Sequence, residues 1–544
     1  MSAQRPGARR LAKTVACLAV ALGLVAAGST GGASAGAAAA STAFTLTATT
    51  DPSNAQITGN NQGFSVETAD FAHGFLTKAR MSRRLQTLSE HGVMRIGGYS
   101  MVLVWPTFGA YRNAPVPAQA IGGVVDQSDL NKLKALLDDS GWKVTIGVPL
   151  KSVIDPAQIK NPLKDPSPPV TMDQAVAEIK AAHQTLGKDL IGVEVGNEFD
   201  NVTTLTSAQY YAKLKEYQAA IDAAVPDGHI KMVGPSANTS STNTFLDDFV
   251  TAVAGDPSST PAKTLEELSS HYYPGSHCGT STLSIPTLMS DATYLKTRAK
   301  EQGVVDTGAR LDSKIPSVIN ESNSASCSGQ PGVSDAYATS LWSLDYLLQS
   351  TQLGISRVQF HTNTAAVCGD FKARTSADYP ISYRYYGAFC AADQAALDAN
   401  KLSATPLYYG LWAFGQVPKG TFVDVNLADT ALPQLRAYGI MGRNGKLTVV
   451  LINVQDPSVP TSTDDAVTLN LPSAFAKGSA VTLQSSAPGG LGSLDASAIT
   501  LGGRTVSPSG VPTGIPTHSR IGVTGSSATV TVAAGTAQII TFSR

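Results

Sequence analysis

"IGVEVGNEFD", residues 191–200, is a run of small and β-branched apolar residues that stops on Asn197 and Glu198, where an ordinary strand gives way to turn residues. Continuous apolar runs of this kind read as strands buried on both faces, as in a parallel sheet. Similar runs recur at 63–67, 93–98, 143–150, 230–235, 265–273, 316–322 and 355–361. Segments of helical period follow them, for example 209–225 and 334–350. With 191–198 counted as the fourth strand, eight βα units predict an α/β fold, a closed (β/α)8 TIM barrel. A doubly wound open sheet is the competing arrangement, but no glycine-rich phosphate loop follows an early strand.

After about residue 417 the texture changes to period-two strands rich in Val, Thr and Ile, separated by Gly, Pro and Ser clusters, with "RNG" at 443–445 as a hairpin turn. This predicts a C-terminal antiparallel β-sandwich over 417–544, following a barrel over 61–416. "AFTLTATT" (43–50) has the same texture, so the 41–60 segment is expected to add an edge strand to the sandwich.

The first 40 residues carry Arg5, Arg9, Arg10 and Lys13, then an apolar stretch, then small residues, which is the pattern of a secretory signal. The apolar stretch is shorter than the roughly 20 residues of a membrane span, so a secreted chain without a permanent membrane anchor is expected. Removing four cations takes the formal charge from −1 to −5, which gives no hint of nucleic acid as a partner. Oligomeric state is not legible. Cys17 falls in the signal, leaving Cys278, Cys327, Cys368 and Cys390, an even count that suggests two disulfides in an oxidising compartment. Cys278 follows strand six and Cys327 strand seven, while the other two share the long eighth connection. The expected pairs are therefore Cys278–Cys327 and Cys368–Cys390. A zinc site from His271, His277, Cys278 and Cys327 is the alternative, but its spacing matches no standard zinc pattern.

Strand C-termini of such a barrel face the active site. Glu198 ends strand four, and Glu321, in "VINES", ends strand seven. Two carboxylates across a pocket are what glycosidic cleavage requires: one protonates the leaving oxygen and the other attacks the anomeric carbon or activates water. Glu321 is also the last glutamate in the chain. Glu194, deeper on the same strand, reads as a buried structural carboxylate. Arg95 in "RIGG" is placed to pair with Glu194 or with Glu321. His271 and Tyr273 in "SSHYYPG" end strand six, next to Glu321, and each could equally be core filling.

These stretches resemble the retaining clan of barrel glycosidases. "MRIGGYS", "KMVGPS", "SHYYPG", "NESNSASCSGQPGVSDAYATSLWSLDYLL" and "TPLYYGLWAFG" look like its glycoside hydrolase family 79, that of heparanase and microbial β-glucuronidases, over residues 43–544. The resemblance implies a retaining double displacement on a carbohydrate or glycoside, with Glu198 as acid/base and Glu321 as nucleophile about 5–5.5 Å apart. It further implies that Asn197 contacts the sugar 2-hydroxyl, Tyr273 orients Glu321, Glu67 binds sugar hydroxyls, and no metal or organic cofactor takes part. One departure concerns the sugar. Glucuronate binders of this family carry a Tyr followed by glycines shortly after the nucleophile, whereas this chain has Ser326, Cys327, Ser328 and Gly329. A disulfide at Cys327 would pin this loop and is expected to alter its path. Lys372, Arg374, Tyr383, Arg384 and Tyr385 are candidate replacements for the missing phenol. The leading reading is a β-glucuronidase; a neutral-sugar β-glycosidase and a catalytically silent carbohydrate-binding protein are the alternatives.

Overall fold

The apolar runs form eight parallel strands: β1 (Gln62–Glu67), β2 (Val93–Gly97), β3 (Lys143–Val148), β4 (Leu190–Val195), β5 (Met232–Asn238), β6 (Leu265–Tyr272), β7 (Ser317–Ser322) and β8 (Arg357–His361). They close into a barrel in chain order, with Phe360 of β8 beside Phe64 of β1 at the seam. Side chains fill the interior and helices cover the outside, so the strands are buried on both faces, as their composition demands. The computed structural model describes residues 42–47, 55–77, 80–150, 153–160, 167–258, 260–312, 314–362, 366–370, 384–427 and 434–544. The expected signal over 1–40 lies outside these residues, and among them no helix is long and apolar enough to cross a membrane.

The helices following the strands are α1 (Met81–Leu88), α2 (Gln127–Ser140), α3 (Met172–Leu186), α4 (Ser207–Ala224), α5 (Thr244–Ala254), α6 (Asp291–Gly308), α7 (Ala338–Leu353) and α8 (Pro406–Gly415). Their starts are written locally. Asp126 and Thr206 cap α2 and α4 in reciprocal capping boxes with Asp129 and Gln209, satisfying N–H groups that a helix N-terminus leaves open. In α7 every residue from Ala338 to Thr351 is buried, because the barrel and the sandwich sheet cover it together with α8. A Cβ at Gly410 of α8 would lie 2.0 Å from Ser343 Oγ, so glycine lets these two helices touch.

The C-terminal region is an antiparallel sheet system. In the strand Leu447–Asn453, Val450 and Ile452 belong to the barrel-side core, while Val449 and Leu451 belong to a second core with Val467, Leu469, Val530 and Phe542. This is the period-two partition of a strand covered on both faces. The N-terminal strand, Thr42–Thr47, joins this sheet but not at its edge: Phe44 pairs with Leu427 on one side and with Leu469 on the other. The edge placement is thus corrected to a central one, because two separate strands offer it open backbone partners.

Buried carboxyls on the helices give the fold a pH dependence. Burial pushes both Glu178 of α3 and Glu301 of α6 up to about 8. An unfolded glutamate titrates near 4.3, so between about pH 4.3 and 8 the folded state holds a proton that the unfolded state releases. Stability is full below that window and falls as pH rises through it, by on the order of 5 kcal/mol per carboxyl. Glu301→Gln removes the titration, so in thermal melts the stability lost between pH 5 and pH 8 should shrink markedly in the variant.

Candidate active site

The site is built at the C-terminal ends of the barrel strands. β4 stops at Val195, not at Glu198, and Gly196 turns the chain at φ +76°. A Cβ there would meet Leu150 Cβ at 2.8 Å, so the turn requires glycine both for its conformation and for space. Glu198 follows at φ 44°, ψ 51°, as the N-cap of a four-residue helix, Phe199–Val202. A left-handed glutamate is strained, and it holds because its surroundings fix it: Phe199 stacks on Tyr210 with centroids 3.7 Å apart, and the Glu198 amide donates to the Ser236 carbonyl at 3.2 Å. The answer to why a strand should end on a carboxylate is that this one ends in a turn which swings the carboxylate over the mouth. Glu321, by contrast, stands on β7 itself.

Arg95 of β2 sits beneath both. It is fully buried and uses its whole donor fork: Nε and Nη2 donate to Glu194 at 2.7 and 2.5 Å, Nη1 to Ser65 at 2.9 Å and to Glu321 Oε2 at 2.6 Å, and Nη2 also to the Asn197 carbonyl oxygen at 2.7 Å. Both of the pairings open at the sequence level are made, and Glu194 is wholly buried. The Asn197 contact fixes that amide with its oxygen inward, leaving its NH2 as the donating end.

Glu321 also accepts the Tyr273 hydroxyl on Oε1 at 3.0 Å. Burial pushes this carboxyl up, but the imidazoles of His271 and His361 and the Arg95 guanidinium outweigh burial and hold it well below the usual carboxylate range. Tyr273 itself is driven well above the ordinary phenol value by burial and the neighbouring Glu321 charge, so it remains a donor. His271 Nδ1 lies 3.0 Å from Glu198 Oε1 and 3.9 Å from Glu321 Oε1. Burial alone would lower His271; Glu321 and Glu198 outweigh it and raise it. Glu198, the more exposed glutamate, also accepts from Asn201 Nδ2 at 2.9 Å. One oxygen of Glu198, one of Glu321 and a nitrogen of His271 all lie within 4.8 Å of one another. Arg95 pairs with Glu321 through Oε2, while Oε1 lies towards His271.

Glu67, at the end of β1, accepts from the Ser100 amide at 2.7 Å and faces His361 Nε2 at 3.4 Å. Ser65 and His361 belong to this constellation and were not singled out from sequence, although His361 ends strand eight just as His271 lies at the end of strand six. Asp200 was missed too. Burial, with the nearby Glu198 charge, pushes it up to about 6.

Both expected disulfides form, Cys278–Cys327 and Cys368–Cys390. The first replaces the zinc alternative, since its two sulfurs bond to each other. It staples a short parallel bridge between Gly275–Ser276 and Ala325–Ser326 on the rim. Beyond it Cys327, Ser328 and Gly329 all take positive φ, at 58°, 72° and 81°. The pinned loop therefore adopts the left-handed backbone for which glycine is ordinarily needed. Tyr385 donates its amide to the Ser328 carbonyl at 2.9 Å, and Tyr386 packs edge-on against His361 at 5.6 Å. Arg384 is buried in the same connection, whereas Lys372, Arg374 and Tyr383 lie outside the described residues. A cavity of about 800 Å³ lies at the opposite end of the barrel, among Val93, Lys143, Pro316 and the Glu267–Arg357 ion pair. None of the glutamates at the mouth lines it, and that end of a barrel ordinarily serves stability.

No family model matches the sequence, and no curated protein does. Solved structures do match. The chain is similar to a 4-O-α-L-rhamnosyl-β-D-glucuronidase from Fusarium oxysporum 12S, in its Rha-GlcA complex, at 20% identity and a TM-score of 0.66, over 92% of this chain and 100% of that one. It is similar to the GH51 arabinofuranosidase from Xanthomonas axonopodis pv. citri at 12% identity and a TM-score of 0.60, over 92% and 100%. A glycoside hydrolase family 30 subfamily 8 xylanase from Clostridium acetobutylicum aligns at 13% identity and a TM-score of 0.51, over 92% and 99%. At these identities the likeness is one of fold: a βα barrel joined to a β-sandwich, an architecture shared with barrel glycosidases.

The Arg95 cluster can be tested without any substrate. Arg95→Met leaves Glu194 and Glu321 buried without their cation, which should cost about 3–5 kcal/mol of stability in urea denaturation near neutral pH. Arg95→Lys should recover little of it, because an ammonium cannot reproduce a planar five-donor fork.

Proposed function

We propose that this chain is a secreted retaining β-glycosidase of the family 79 type, with Glu321 as nucleophile and Glu198 as acid/base. The observation that carries this is the unequal treatment of two facing carboxylates. Glu321 is buried, held as an anion by Arg95, and oriented by Tyr273; Glu198 is the more accessible, on a turn at the mouth, with an oxygen within 4.8 Å of Glu321. That proximity suits the short separation of a retaining pair better than the wider one of an inverting pair. In the first step Glu321 attacks the anomeric carbon as Glu198 gives its proton to the glycosidic oxygen, and the aglycone leaves. In the second, Glu198 takes a proton from water, which attacks the same carbon and releases Glu321. Asn197, its oxygen held by Arg95, directs its NH2 to the sugar 2-hydroxyl. Neither step calls for a metal or an organic cofactor.

For the sugar itself we propose a β-glucuronide. The turn at Cys327–Gly329 takes the left-handed backbone that glycines ordinarily supply, and the Fusarium protein, similar in fold, is a glucuronidase. The missing tyrosine favours the second reading, a neutral β-glycoside, since a uronate without donors would cost several kcal/mol to desolvate.

Glu321→Gln should abolish turnover, and azide should restore activity to Glu198→Ala by replacing the base in the second step. Tyr273→Phe should lower kcat about 10- to 100-fold, the value of one hydrogen bond to a charged group. An NMR time course should show the product first in the substrate's anomeric configuration, and an inverted product would remove the retaining assignment. On 4-nitrophenyl substrates, kcat/KM for the β-glucuronide should exceed that for the β-glucoside by more than about 100-fold, and a ratio below one rejects the uronate reading.

A further inference from the structure

Across the mouth of the barrel, three carboxylates alternate with two imidazoles: Glu198, His271, Glu321, His361 and Glu67, at successive contacts of 3.0, 3.9, 3.8 and 3.4 Å. His271 touches Glu198, and Glu198 and Glu321 belong to the chemistry proposed above. His361 does not, yet it is buried among charged and polar groups on every side that its neighbours present. From β1 come Ser65 Oγ, 3.0 Å from Nδ1, and Glu67 Oε1, 3.4 Å from Nε2. From β7 comes Glu321 Oε2, 3.8 Å from Nδ1, and from the eighth connection comes the Tyr386 ring at 5.6 Å. β2 contributes Arg95, through Ser65.

The hydrogen-bond directions follow from donor chemistry. Arg95 Nη1 can only donate, so Ser65 Oγ accepts from it. If Nδ1 accepts the single Ser65 hydroxyl proton, the ring's own proton is on Nε2. A neutral ring with its proton on Nδ1 would instead set a bare Nε2 lone pair against the Glu67 carboxylate, a repulsive contact at 3.4 Å. The contact with Glu67 Oε1 therefore favours the tautomer in which Nε2 presents an N–H to it. The other Glu67 oxygen accepts from the Ser100 amide at 2.7 Å, so each oxygen has its own fixed donor. Gly98, at φ +70°, closes over that carboxylate, where a Cβ would lie 2.7 Å from Oε2.

We propose that His361 is a positioning residue for sugar binding, which carries the order imposed by Arg95 through Ser65 to the Glu67 carboxylate. One guanidinium then aligns the nucleophile directly, the Asn197 amide directly, and the hydroxyl-binding carboxylate at one remove. This rests on the reading of Glu321 as nucleophile and Glu67 as a sugar-hydroxyl acceptor. Because Glu67 would hold the sugar in ground and transition states alike, loosening it should act on KM more than on kcat.

The test is a double-mutant cycle with the full-length enzyme and the 4-nitrophenyl β-glycoside that the wild type turns over best. His361→Asn, which cannot reach Glu67, should raise KM about 10-fold or more with kcat within about 3-fold. His361→Gln, which can place an amide N–H near the Nε2 position, should bring KM back to within about 3-fold of wild type. The Glu67→Gln, His361→Asn double variant should be little worse than Glu67→Gln alone, since the histidine acts through the glutamate. Losses that multiply in the double variant overturn the proposal, as does a fall in kcat with KM unchanged, which would assign His361 to the nucleophile instead. If His361→Asn fails to fold, His361→Ala, which likewise cannot donate to Glu67, takes its place in the cycle with Glu67→Gln: coupled effects support the proposal and multiplied ones overturn it. A wild type that turns over no β-glycoside removes the functional reading itself, and this proposal with it.

Discussion

Arg95 is the constraint around which the barrel mouth is organised. A guanidinium taken wholly out of water is stable only if its charge and all five N–H groups are answered, and here two carboxylates, an amide oxygen and a hydroxyl answer them. The reverse also holds. Glu194 and Glu321 are buried acids that share the same cation, which with two imidazoles holds Glu321 well below the usual carboxylate range. Glu194 explains its own presence deep in β4: with Glu321 as the only partner, the cation would lean on a group that the proposed reaction neutralises as the glycosyl ester forms. A second, permanent carboxylate keeps Arg95 in place when that happens. Asn320, beside Glu321 on β7, donates to Glu194 Oε2 at 2.8 Å and to Ser236 at 2.8 Å, so the deep acid is itself held from a third strand.

The support extends outward to the sandwich. Ser322, next to Glu321, donates to the Tyr272 carbonyl at 2.6 Å and also meets the Tyr346 hydroxyl of α7 at 3.1 Å. One turn earlier on that helix, Trp342 stacks on Tyr346 at 5.1 Å, and Asp345 accepts the Tyr438 hydroxyl of the sandwich at 2.6 Å. Tyr337, just before α7, donates to the Gly535 carbonyl at 2.8 Å. The sandwich thus presses α7 against the strand that bears Glu321. This gives the second region a physical part in the site through α7.

The eight-strand rhythm was legible because a parallel barrel imposes continuous apolar runs, which differ from the sandwich's alternation. Glu198 and Glu321 were legible because a carboxylate closing such a run contradicts its surroundings. Other features were not, each for a physical reason. The turn that removes Glu198 from β4 depends on Leu150 crowding Gly196, a contact between loops distant in sequence. Ser65 and His361 look like strand residues, and only the closure of β8 onto β1 brings them together. The central position of Thr42–Thr47 depends on two strands nearly 400 residues or more later in the chain, and no local pattern encodes that pairing. Cys327 and Ser328 hide a glycine-like turn, since a disulfide and a neighbouring backbone bond can hold left-handed residues that composition would not suggest.

The placement of His271 bears on how charge would move through the proposed cycle. In forming the glycosyl intermediate, Glu321 passes from anion to neutral ester while Glu198 passes from acid to anion, so one negative charge shifts across the mouth by less than about 5 Å. A cation bound to Glu321 alone would lose its partner, and one bound to Glu198 alone would hold that acid ionised too early. His271 Nδ1 touches Glu198 and lies within 4 Å of Glu321, so a single fixed imidazole faces the charge before and after the shift. Its raised pKa has the same origin, since the ring answers two carboxylates rather than one. Arg95 stays with Glu194 throughout. The site therefore needs no movement of buried charge other than the proton and the glycosyl bond, which is the condition under which fixed dipoles stabilise a transition state without reorganising.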